Sequence, residues 1–355
     1  MRRCSLIVAF AFATAALAGV AGVDAQAPRI GKPRPAPAGP TTMPALPPAT
    51  LDDSLNIGGD DLTARRSNTR MTVEVMVNGR GPYRFLVDSG ADTSVVGLRI
   101  ARDLQLPVST PVVLNAFTSR NVVDRVKVDE LTLGATRFRD LHLPALREQH
   151  LGGQGMIGID ALVNQRLLMD FEKLAIKVED ASVPVKSLPG EIVITARRQR
   201  GQLILTEVKA DQLTLDAVID TGSEVTVGNR ALRDKLIGRN RDRLFKAEAT
   251  GVTGVTMDLE MAIISELRLG PVVLRDLPVA FADLPPFEVF GLSNEPALLL
   301  GTDVLEVFRR VSLDFRARKV RFQLRRCGST GVILSSSATN HVTRLSSTND
   351  QSCRR

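Results

Sequence analysis

The stretch "FLVDSGADTS", residues 85–94, closes an apolar run with an aspartate, a hydroxyl residue and a glycine, and "AVIDTGSEVT", residues 217–226, repeats that order. A single Asp-Ser/Thr-Gly reads as a polar turn after a strand, the glycine permitting a tight bend. Two copies raise the question of a repeat in the whole chain. Residues 71–88 and 203–220 are each 18 residues long and superpose without a gap at an offset of 132. Each reads as two strands around a polar turn, "VNGRGPY" in the first and "KADQLT" in the second. Beyond the aspartates, "GLRIARDLQL" and "NRALRDKLIG" each predict a short helix. Then "VDELTLGATRFRDLHL" (128–143) matches "ISELRLGPVVLRDLPV" (264–279). Finally "MIGIDAL" (156–162) matches "LLGTDVL" (299–305), with "LMDF" (168–171) and "SLDF" (312–315) following. Four matched blocks in one order make the chain two lobes of one fold, joined around "EDASVPVKSLPGE" (179–191).

Those lobes are expected to be all-β. "MTVEVMV" alternates, "RFLVD" and "AVID" are short apolar runs, and "VKVDELTLG" alternates again before a glycine. Helical patterns are brief. The expected partition is a signal peptide at 1–25, a Pro/Ala-rich leader or linker at 26–67, a first lobe at 68–180, a linker at 181–199, a second lobe at 200–326, and a Ser/Thr-rich tail at 327–355. Arg2 and Arg3 before an uncharged apolar stretch, then the small residues of Val23-Asp24-Ala25, form the signal layout. This points to export, to the periplasm or outside the cell. The rival reading is an uncleaved segment that tethers the protein to a membrane. "QAPRIGKPRPAPAGPTTMPALPPAT" (26–50) reads as an extended spacer. Cys327 and Cys353 remain in the tail, where an oxidising compartment would let them pair as a disulfide.

The aspartate turns carry a family resemblance. Asp88-Ser89-Gly90-Ala91-Asp92-Thr93 resembles the active-site turn of retropepsin-like aspartic proteases, and Met156-Ile157-Gly158 and Leu299-Leu300-Gly301 resemble that family's second signature, two apolar residues and a glycine before a short helix. The resemblance implies two acid-protease β-barrel lobes in one chain, a pseudo-dimer of the pepsin-like kind built from lobes of nearly retroviral length. It implies an aspartic-type endopeptidase, active as a monomer on peptide or unfolded protein, with no cofactor. Asp88 and Asp220 would be the catalytic dyad, one per lobe. Ser89, Gly90, Thr221 and Gly222 would support it, the two hydroxyls bonding across to the opposite lobe. Ile157, Gly158, Leu300 and Gly301 would pack beside the turns, and Asp92 and Glu224 would bind substrate backbone or stand as solvated acids at a helix start.

The chemistry stands beside the resemblance. Hydrolysing a peptide bond without metal or covalent intermediate needs one group to take a proton from water and another to give one to the carbonyl oxygen. Two carboxyls about 3 Å apart cannot both ionise, so together they supply both roles. Flaps over the cleft are expected near "NAFTSRN" (115–121) and "ATGVTGV" (249–255), the second being richer in glycine. Two departures from the family pattern stand out. The one tyrosine, Tyr83, lies before the dyad and not in a flap, and Ile159 and Thr302 occupy the positions where retroviral enzymes have arginine. Another contact must brace the lobes, with Asp160 and Asp303 as candidates.

Other function classes fare worse. Net charge is +7, yet the Arg residues are scattered and there is one Tyr and no Trp, so nucleic acid is not an expected partner. "GQGMIG" (153–158) matches a dinucleotide fingerprint but stands late in a β lobe, and its counterpart "ALLLG" lacks the first two glycines. His142, His150 and His341 are the only histidines, and no paired Cys or His spacing predicts a metal site. The alternative of another class is a non-catalytic, two-lobed peptide- or partner-binding protein of the cell envelope.

Overall fold

The computed structural model describes residues 29–37, 50–51, 60–63, 65–67, 70–134, 136–162, 165–185, 191–238, 243–325, 332–334 and 343–345. The signal segment, His341, Cys327 and Cys353 lie outside the described residues. The chain is mostly β, and each lobe closes one ring of six strands. In the first lobe Arg70–Val77 pairs antiparallel with Arg80–Val87, which runs parallel to Gly155–Ile157. That strand pairs antiparallel with Val95–Gly97, itself parallel to Thr136–Leu146. Thr136–Leu146 pairs with Arg120–Leu133, which returns to Arg70–Val77 through Met76↔Thr132. The second lobe repeats the ring through Gln202–Ala210, Leu213–Ile219, Ala297–Leu300, Val227–Gly228, Val272–Phe281 and Thr256–Leu269, closing at Val208↔Leu269.

Sequence pattern accounts for the rings. Met71, Val73, Val75 and Val77 point inward from the alternating strand. Phe85, Leu86 and Val87, like Ala217, Val218 and Ile219, are buried on both faces, which is why those runs do not alternate. Asn78 and Gly79 adopt positive φ of 48° and 70° at the first hairpin, a turn that short polar residues and glycine make at little cost. The predicted helices after the aspartate turns are Leu98–Asp103 and Arg230–Ile237, and those after the apolar-apolar-Gly motifs are single turns, Ile159–Leu162 and Thr302–Leu305.

A third sheet of six strands spans both lobes. Its centre pairs Gln165–Asp170 with Phe308–Asp314, in the register Arg166↔Asp314, Leu168↔Ser312 and Asp170↔Arg310. These are the repeated "LMDF" and "SLDF" segments, so the duplication meets itself here. Phe308 and Phe322, with ring centroids 4.6 Å apart, pack in its core. Segments read as spacers also carry strands. Arg34–Pro35 pairs with Arg120–Leu133, Asp60–Thr63 joins the third sheet, and Glu191–Thr195 pairs with Lys319–Leu324. In the tail, Val332–Leu334 pairs with Thr343–Leu345. A Pro-rich stretch lacks donors for a central strand, and Arg34–Pro35 is accordingly an exposed edge.

Candidate active site

Each aspartate ends a buried strand whose last residues it cannot leave. Asp88 N–H donates to Ile157 O at 2.9 Å and Asp220 N–H to Leu300 O at 3.0 Å, so the apolar-apolar-Gly strands hold both turns in place. The glycines of those motifs permit the close fit: a Cβ on Gly158 would stand 2.6 Å from Thr93 C, and one on Gly301 2.7 Å from Val225 C. In the turns, Asp88 Oδ1 accepts from Gly90 N at 2.8 Å and Ala91 N at 3.0 Å. Asp220 Oδ1 accepts from Gly222 N at 2.9 Å and Ser223 N at 3.1 Å. The two turns have one geometry.

The hydroxyls cross between lobes. Ser89 Oγ donates to Ile219 O at 2.9 Å and accepts from Thr221 N at 3.2 Å. Thr221 Oγ1 donates to Val87 O at 2.8 Å and accepts from Ser89 N at 2.9 Å. Four buried hydrogen bonds, two in each direction, therefore lock the turns together. They bring each carboxyl onto the opposite glycine, where a Cβ on Gly222 would lie 2.1 Å from Asp88 Cγ and one on Gly90 2.6 Å from Asp220 Cγ. Burial and the neighbouring Asp220 charge push Asp88 up to about 8, against the opposing pull of the Gly90 and Ala91 N–H groups. Asp220 also stands above the usual carboxylate range through burial, drawn back by the Gly222 and Ser223 N–H groups, by Asp88 and by the Arg70 charge. Like charges this close favour one proton held between them.

The cleft above the pair is a cavity of about 630 Å³. Its roof is formed by two hairpin tips, residues 116–119 and 251–255, at the positions expected for flaps. The tips touch: Thr118 Oγ1 donates to Val255 O at 2.7 Å, and Ser119 Oγ lies 2.6 Å from Thr253 Oγ1. Their apolar residues cross over as well, Phe117 packing on the cluster around Leu259, Met261 and Phe290 of lobe two, and Val252 on that of Val95 and Met156 of lobe one. Tyr83 packs against the lobe-one core, away from the flaps. Among the described residues no group of three or more His, Cys, Asp or Glu is placed to hold a metal ion. His150 lines the cavity, whereas His142 sits on the outside, with Nδ1 2.6 Å from Ser109 Oγ.

Two expectations need correction or refinement. Asp160 and Asp303 do not brace the lobes. Asp160 accepts from Ser94 N at 2.8 Å and Ser94 Oγ at 2.7 Å, and Asp303 accepts from Thr226 N at 2.9 Å and Thr226 Oγ1 at 2.7 Å, all within one lobe. Each thus ties the short helix to the strand leaving the aspartate turn. Burial raises both, Asp303 to about 6. Asp92 and Glu224 are neither free nor merely solvated: Asp92 Oδ2 meets Arg200 Nη2 at 3.0 Å and Oδ1 accepts from Gln202 at 2.5 Å, while Glu224 meets Arg70 Nη2 at 2.7 Å. These cross-lobe ion pairs, with Ile159 packed against Gly201, are the braces. Reading the residues missed Arg70 and Arg200. Arg70 stands one position before the matched 18-residue blocks, opposite Gln202, and that mismatch was the available signal.

A sequence profile of the family described as aspartyl protease matches the chain twice, at residues 73–161 and 206–304, once over each ring and together over just more than half of the chain. No curated protein matches it. Two matches in tandem, each containing one Asp-Ser/Thr-Gly turn and one apolar-apolar-Gly strand, account for the duplicated fold: the chain belongs to the aspartyl protease family.

Proposed function

We propose that the protein is an aspartic endopeptidase that hydrolyses peptide bonds with water activated between Asp88 and Asp220, one from each lobe of a single chain. The observation that carries this reading is the packing of each carboxyl against the opposite turn's glycine inside the reciprocal Ser89–Thr221 network. With one proton between them, one carboxylate takes a proton from water as its oxygen attacks the scissile carbonyl, and the protonated carboxyl gives its own to the carbonyl oxygen. The product is a neutral gem-diol, and the dyad's proton has changed sides. On collapse, the newly protonated carboxyl gives its proton to the leaving nitrogen, the C–N bond breaks, and a diol hydroxyl returns a proton to its partner. No cofactor enters this cycle.

Substrate is an extended peptide or an unfolded protein lying beneath the two flaps. The cavity wall supports that class, because Phe117, Leu259, Met261 and Phe290 favour apolar side chains beside the scissile bond. Action as a monomer is supported by both aspartates belonging to one chain. Export to the periplasm or beyond is the location proposed from the N-terminal layout; among the described residues no helix is long and apolar enough to cross a membrane. Asp220→Asn, assayed on an unfolded protein between about pH 3 and 8, should lose at least ~1,000-fold in kcat/KM. Activity surviving with the fold intact would remove the dyad. A wild type inert at every pH would favour a non-catalytic binding protein.

A further inference from the structure

The two halves of the dyad are not electrostatically equal, and the difference has a structural source. Arg70 opens the first strand of lobe one and reaches across to the second aspartate turn. Its Nη2 meets Glu224 Oε1 at 2.7 Å, and its Nη1 donates to Gly222 O at 3.3 Å. That carbonyl belongs to the peptide unit joining Gly222 to Ser223, whose N–H donates to Asp220 Oδ1 at 3.1 Å. A cation on the oxygen of an amide polarises the whole unit and strengthens the hydrogen bond made by its N–H. The chain guanidinium, peptide, carboxylate thus ends on Asp220. Space for it is built in: Gly152, at φ +72°, has no side chain, and a Cβ there would fall 2.4 Å from Arg70 Nη2.

Lobe two does not return the favour with the same residue. Its counterpart of Arg70 is the neutral Gln202, and the cation on that side, Arg200, stands two positions earlier. Arg200 directs Nε and Nη2 at Asp92 Oδ2, at 3.3 and 3.0 Å. The Arg70 charge accordingly stabilises ionised Asp220, whereas Asp88 is governed by burial and by Asp220 itself, with only its own turn's N–H groups opposing.

Resting on the two-aspartate reading above, we propose that Arg70 is the positioning residue that makes the dyad directional. It leaves the resting proton on Asp88 and presents Asp220 as the carboxylate that takes the proton from water. Asp88 then protonates the carbonyl oxygen, and Asp220 later protonates the leaving nitrogen. Other charges facing the pair do not supply this asymmetry: Asp92 is paired with Arg200, Glu224 opposes the effect of Arg70, and His150 and Glu248 line the outer cavity.

A merely structural brace and an electrostatic one make different predictions, because Arg70→Gln and Glu224→Gln break the same ion pair. Carbon-13 NMR of labelled aspartate in the full chain, in an Asp88→Asn background, follows Asp220 titrating alone. Arg70→Gln should raise its midpoint by about half a unit to one unit, Arg70→Lys by less, and Glu224→Gln should lower it. With both aspartates present, the acidic limb of the kcat/KM profile should move in the same directions. Shifts of one sign for Arg70→Gln and Glu224→Gln, or no shift in either, would overturn the proposal. Should the titrations behave as expected while the wild type hydrolyses nothing, the endopeptidase reading fails and the electrostatic assignment stands.

Discussion

A methyl group on Gly222 would stand 2.1 Å from Asp88 Cγ, closer than any non-bonded contact, so Gly222→Ala must separate the turns or displace the carboxyl. A shift of that order costs about 100-fold in rate when geometry carries catalysis. Cleavage of an unfolded protein by Gly222→Ala should fall by at least that factor while the far-ultraviolet circular dichroism stays that of the wild type. The burial of Asp88 has a second consequence. A carboxyl whose pKa is higher folded than unfolded binds its proton more tightly in the folded state. It favours folding fully below about pH 4, its unfolded value, and progressively less as pH rises toward about 8. Melting temperature should therefore decline across that window, and Asp88→Asn should flatten the decline. At this scale the pair of facing aspartates was readable because a turn that needs Asp and Gly together is written twice. Arg70, Arg200 and the true partners of Asp160 were not, because a guanidinium's partner is fixed by the fold and not by neighbouring residues.

On the proposed mechanism substrate enters beneath the two flaps, and their contact is made by half-buried side chains on hairpin tips. Thr118 and Ser119 hold Val255 and Thr253 through one hydrogen bond each, a combined stabilisation of about 1–3 kcal/mol. Replacing both as Thr118→Val with Ser119→Ala should speed amide hydrogen exchange in residues 251–255 severalfold and leave exchange in the barrel strands unchanged. The two flaps also differ. Arg34–Pro35 adds a third strand to the lobe-one hairpin, supported by Ala36 N–H on Arg120 O at 3.1 Å, the Arg120 guanidinium on Pro37 O, and Gly31 N–H on Asp124. Glycine content marked the second flap as the looser one in the sequence. The pairing that stiffens the first was hidden, because a proline-rich segment gives no strand pattern and docks only through a few backbone groups on an existing edge.

Across the whole molecule, the duplication explains why the site lies where it does. Two rings of matching strand order put equivalent turns face to face, the reciprocal Ser89–Thr221 hydrogen bonds hold them together, and one six-stranded sheet is shared between the lobes. That sheet contains a buried pair, Arg166 Nε to Asp314 Oδ2 at 3.1 Å, with Arg166 also bonded to Glu179 at 3.0 Å. Without Asp314 the Arg166 guanidinium keeps Glu179 and Val183 O but its Nε is left without a partner, so Asp314→Ala should lower unfolding free energy by about 1–3 kcal/mol in urea titration. The gross architecture was legible because four repeated blocks kept their order. The central sheet was less so: its strands come from the ends of both copies, from the leader before the first and from the linker between them.

The central claim is that one chain holds both halves of one site. It is tested most directly by mixing equal amounts of Asp88→Asn and Asp220→Asn chains, after confirming that the wild type cleaves an unfolded protein. The account predicts that each variant and the mixture remain inactive and that wild-type specific activity does not change with dilution. Recovery of activity in the mixture would show aspartates pairing between chains and would contradict it.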